Sequence, residues 1–135
     1  MQKLTGILTV VLMGAPLFVA AQSSNVTLPQ DKGPSSINVS SYPPEQQKAY
    51  KVFVDKCAKC HTIARPINTT MTTQQWEMYV KRMMHKPSSG INDNQGKEIF
   101  EFLAYDQKAR KDKNASAFFK MLSDDEIQKL KAQQQ

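Results

Sequence analysis

The chain has 135 residues, 40% of them hydrophobic and 22% charged, with a formal net charge of +6 and a mean hydropathy of −0.51. That length holds one small domain with accessory segments, and the composition excludes collagen, repeat arrays and bulk disorder. Both cysteines fall in one four-residue window, so no second pair exists for a structural disulfide, and a domain this small needs another source of stability, such as packing around a buried cofactor.

Lys3 starts the chain with a positive charge, Ile7 to Val19 is an apolar stretch, and Val19, Ala20 and Ala21 end it with small side chains. This is the pattern of a secretory signal peptide over residues 1–21, with cleavage expected after Ala21. The alternative is a retained anchor, but about 13 apolar residues fall short of the roughly 20 that span a bilayer. Removal would take away Lys3 alone and leave a charge of +5. Such a basic surface steers towards acidic partners. There is no dense Lys/Arg stripe or binding motif that points to nucleic acid.

Residues 22–42 are polar and rich in Ser, Asn and Pro, and read as a flexible linker. Pro43 and Pro44 suit the first turn of a helix over Glu45–Lys56, where Tyr50, Phe53, Val54 and Cys57 share one face. His61 to Thr73 reads as a loop broken at Pro66 and Asn68. Thr72 with Gln75 forms a capping-box pattern ahead of a helix that lines up Trp76, Val80 and Met83 or Met84 and stops at Pro87–Gly90. Asn92 with Gln95 opens the next helix, which carries Ile99, Phe102, Leu103 and Asp106. Residues 112–135 read as a basic helical tail, with a short helix over Ala117–Leu122 and a further cap at Ser123 and Glu126. No strand is predicted, so the fold class is all-α.

Cys57-Ala58-Lys59-Cys60-His61 is the Cys-x-x-Cys-His signature of covalent haem attachment. Two thiols one helical turn apart can each add to a vinyl group of one porphyrin, and the histidine that follows lies under the iron as an axial ligand. A bare Cys-x-x-Cys also occurs as a redox dithiol, but that chemistry belongs with a βαβ pattern that is missing here. Cys57, Cys60, His61 and His85 would total four zinc ligands, yet adjacent Cys60 and His61 are awkward partners at one tetrahedral metal.

Over Tyr42 to Lys111 the chain resembles the class I cytochromes c. Phe53 stands four residues before Cys57, where that family has an aromatic, and Ala49 stands where it usually has a glycine at the helix crossing. Ile99, Phe102 and Leu103 fit the pattern of its last helix. Trp76, Val80, Arg82 and Met83 resemble the Trp-x-x-x-Val-x-Arg-Met stretch of small monohaem bacterial cytochromes. The resemblance implies a cytochrome c-like helical domain over residues 43–111, wrapped around one covalent haem c whose iron is held by His61 and a distal residue. Met83 is the preferred distal ligand, with Met84 next and His85 third; Met71 and Met78 lie nearby as core-type methionines. Pro66 is expected to offer its carbonyl to His61. Arg65 reads equally as a propionate partner or a solvated loop residue, and Trp76 as a haem neighbour or simple core.

The function implied is one-electron transfer in the periplasm, by weak docking to redox proteins with acidic surfaces. Lys48, Lys51, Lys56, Lys59, Lys81, Arg82 and Lys86 supply the basic face. No acid–base or nucleophilic constellation marks an enzyme. A haem-based small-ligand binder and a cytochrome subunit of a larger periplasmic oxidoreductase are the competing readings.

Overall fold

The structure, a computed structural model, describes residues 26–133. The expected signal peptide lies outside the described residues. Five α-helices are present among these: α1 Pro44–Cys57, α2 Ala64–Ile67, α3 Thr73–Met84, α4 Asp93–Asp106 and α5 Asp124–Ala132. No helix of the described residues is long and apolar enough to cross a membrane.

The helix boundaries follow from local chemistry. Pro44 starts α1 at a position where its missing N–H is no loss. Thr72 and Gln75 cap α3 reciprocally: Thr72 Oγ1 accepts from the Gln75 N–H at 3.2 Å, and Gln75 Oε1 accepts from the Thr72 N–H at 2.8 Å. Asn92 and Gln95 repeat the device at α4, at 2.9 and 3.2 Å. Ser123 and Glu126 form the same reciprocal pair ahead of α5. Ser88, in the left-handed conformation at φ 62°, lies in the turn that leaves α3, and Gly90 follows it at φ 59°.

The core forms where α1 and α3 pack on α4. Phe53 and Phe102 are fully buried with ring centroids 5.2 Å apart, and Tyr50 stacks on both. Ala49 is buried in α1, the helix that packs on α4. Trp76, Val80, Ile99 and Leu103 complete the centre, each burial being worth about 1.5–3 kcal/mol.

Three local expectations are corrected. Residues 26–42 do not hang free: Val26, Leu28 and Gln30 are buried, and a 3-10 turn at Pro29–Lys32 lies against α2. Buried polar pairing drives this, since the Asn68 amide donates to the carbonyls of Gln30 and Pro34 at 3.1 and 3.0 Å. The chain also has a strand pair: β1 Thr69–Thr70 runs parallel to β2 Phe119–Lys120. That pairing replaces the helix expected over Ala117–Leu122, because the Phe119 N–H finds the Asn68 carbonyl at 3.2 Å rather than a helical partner. Finally, the tail from 112 is not helical throughout: after a π-helical turn at Gln107–Lys111 comes a 3-10 stretch at Asp112–Ala117, kinked at Asn114, and then β2.

Candidate functional site

Cys57 is the last residue of α1, and the chain turns at Ala58–Cys60 before α2 begins at Ala64. The two thiols meet different surroundings. Cys60 is exposed, whereas Cys57 is half-buried against the core. Burial, and then the neighbouring Cys60, push the Cys57 thiol up to about 12. Tyr79 of α3 is buried nearby; burial first, and the closeness of Cys57 second, push its hydroxyl above the usual range.

His61 is half-buried, and its Nδ1 lies 2.9 Å from the Thr62 carbonyl oxygen. A carbonyl only accepts, so Nδ1 carries the proton and donates, which leaves the lone pair on Nε2. That is the tautomer a metal-ligating histidine needs, with the second nitrogen tied to a backbone oxygen. The donor set therefore fits a c-type haem: one exposed and one core-facing thiol a turn apart, followed by an imidazole with Nε2 free to bind iron. Among the described residues no three His, Cys, Asp or Glu side chains converge on a point.

The distal candidates differ in setting. Met83 and Met84 are both half-buried at the end of α3, and Met83 lies one turn beyond Tyr79, the neighbour of Cys57. Met84 is seated on Gly96 of α4, where any added Cβ would collide with its thioether. His85 is exposed, and its Nδ1 turns back to the Lys81 carbonyl at 2.6 Å. Met71 is buried in the core and Met78 is 56% exposed. Met83 and Met84 thus both pack against the core, Met84 with its sulfur close to Gly96, and the Nδ1 contact of His85 leaves its Nε2 as available as that of His61.

Arg65 and Pro66 take other partners than the sequence suggested, whereas Trp76 lies in the core. Arg65 forks onto Asp31, donating from Nε to Oδ1 at 2.8 Å and from Nη2 to Oδ2 at 2.5 Å, and also donates to the Val26 carbonyl at 2.8 Å. Burial works against the Asp31 charge, but this hydrogen bond prevails and holds its carboxyl below the usual range. The Pro66 carbonyl accepts from Lys111 Nζ at 2.7 Å, and Thr62 takes the place expected for Pro66 at His61. The Trp76 indole donates to Gln107 Oε1 at 3.2 Å within the core.

Sequence reasoning missed a buried polar knot at the end of α4. Asp106 accepts from Tyr42 Oη and from Arg110 Nε, each at 2.8 Å, and from Arg110 Nη2 at 2.7 Å. Lys111 is wholly buried and reaches the carbonyls of Pro66 and Thr69, both at 2.7 Å. The Asp106–Arg110 spacing of four residues was a readable signal. Lys111 gave none, because a lysine in a basic stretch normally lies in water. Comparison with protein-family models, curated proteins and solved structures finds no match to the chain.

Proposed function

We propose that the chain is an exported one-electron carrier holding a single haem c through Cys57 and Cys60, with His61 and Met83 as iron ligands. The observation that carries the reading is the Cys-x-x-Cys-His turn at the end of α1, in which the Thr62 carbonyl fixes the tautomer that leaves His61 Nε2 free. Bound haem would supply an iron that cycles between ferric and ferrous states. The chain's own part is to hold both ligands through that cycle. Thr62 orients the His61 ring, and α3 presents Met83 from a helix locked by its cap and by buried Trp76. A soft thioether favours the ferrous state and sets a higher potential than a second imidazole would. Lys48, Lys51, Lys59, Arg82 and Lys86 are exposed, and such charges speed encounter with an acidic redox partner.

The test is an absorption spectrum, oxidised and reduced, of the protein matured with haem, in wild type and Met83→Ala. A c-type spectrum whose far-red sulfur-to-iron band disappears in the variant is the expected result. A band that survives transfers the role to Met84. A wild type without the band, binding carbon monoxide readily when reduced, turns the reading to a ligand binder. A colourless protein overturns it.

A further inference from the structure

Lys111 is a charged side chain with no exposure at all, and electron transfer as described above gives it no task. Its surroundings are specific. Nζ donates to the Pro66 and Thr69 carbonyls, lies 3.5 Å from Asp106 Oδ2, and sits 4.6 Å from the centre of the Trp76 ring. The charged groups that face it are Asp106 and Arg110, with Asp112 on the following turn. Asp106 is already held by Arg110 and by the Tyr42 hydroxyl, so one carboxylate serves two buried cations.

The hydrogen bonds at Nζ matter most. Both short ones go to neutral carbonyls, and an amine has two N–H groups to give. Loss of the third proton therefore leaves both bonds in place and forfeits only the longer contact to Asp106 and the attraction to the Trp76 ring. Burial, opposed by Asp106 and reinforced by Arg110, brings Lys111 down to about 8. The cluster thus accommodates either protonation state.

Its position bears on the iron site from two sides. Pro66 and Thr69 belong to the stretch that follows His61, and Trp76 lies seven residues before Met83 on α3. Nζ thus touches the segment that follows His61 and the helix that carries Met83, and a charge that is itself buried is weakly screened.

Resting on the haem reading, we propose that Lys111 is a redox-linked proton site, taking up a proton when the iron is reduced and releasing it on oxidation. The electron comes from the donor protein and the proton from solvent. One electron adds a negative charge at the iron, the amine at Nζ becomes an ammonium, and the reverse step returns both. Lys111 touches no ligand, so it acts as a tuning residue.

The experiment is the midpoint potential of the full haem-loaded chain from pH 6 to 10, in wild type and Lys111→Met. In wild type the reduced-to-oxidised ratio at fixed potential should fall about three- to tenfold as pH rises through the window near and above 8, and the variant should be flat there. A flat wild type, or a variant with the same slope, overturns the proposal. Should the variant fail to fold, NMR titration of the lysine Nζ signals in wild type decides. The Lys111 midpoint should lie higher in the reduced protein than in the oxidised one, and equal midpoints overturn the coupling. A coloured protein with a pH-independent potential refutes the coupling alone, whereas a chain that takes up no haem refutes both readings.

Discussion

Cys57 and Cys60 stand three residues apart, yet one thiol faces the core and the other faces water. Only the thiolate attacks electrophiles, and burial keeps Cys57 protonated well beyond neutral pH. In the haem-free protein an alkylating reagent at pH 8 should label Cys60 faster by about 100-fold or more, as read by peptide mass mapping. Equal rates would mean that Cys57 is not seated against the core. Asp31 offers a second test at this scale. Asp31→Asn removes the charged fork to Arg65 and should lower stability by about 1–3 kcal/mol in denaturant melts at pH 7. The folded carboxyl titrates below its unfolded value near 3.9, so its contribution is full above that value and disappears as pH falls through the folded value. The acid limb of the stability curve should accordingly be shallower in the variant.

At the level of elements, the α3–α4 seam depends on one small residue. A Cβ at Gly96 would meet the flexible end of Met84, so Gly96→Ala should expel that thioether without stopping the fold. A stability loss of about 1–3 kcal/mol is expected, with a large shift of the Met84 methyl resonance and little change at Met83. Thr72→Ala removes one half of the α3 cap and should cost about 1 kcal/mol. These helices were legible in the sequence because their causes are local: a cap, a proline at the start, an apolar face at helical spacing. The Cys57–His61 motif was legible for the same reason, as all its parts lie within five residues. Residues 26–42 and 107–120 were not. Gln30, Asn68, Gln107 and Lys111 have surface-type side chains, and their burial is settled by partners 30 or more residues away, such as Gln30 for Asn68 and Trp76 for Gln107. Composition therefore read both stretches as solvated. The β1–β2 pair escaped notice because two residues are too short for any alternation to show.

For the molecule as a whole, the buried lysine shapes stability against pH. Folded Lys111 titrates near 8 and an unfolded lysine near 10.4, so between those values the unfolded chain binds more protons. Unfolding free energy from this group therefore rises with pH across that window and is flat below it. Half-buried Tyr42 and buried Tyr79, whose hydroxyls titrate above the normal range, act in the opposite sense above about pH 10. Urea melts at pH 7.5, 9 and 10 should show wild type gaining on Lys111→Met as pH rises. The variant should start about 2–4 kcal/mol less stable, since two buried carbonyls lose their donor.

The same lysine joins positions 45 and 42 residues apart, and α1 closes on α4 over a similar span of chain. In a chain threaded across a membrane with its N-terminus leading, the cysteine turn emerges well before the helix that completes the core around it. During that interval neither thiol is shielded. Were the chain exported and loaded with haem as proposed, that order of arrival would give a maturation enzyme access to Cys57 before the folded domain half-buries it.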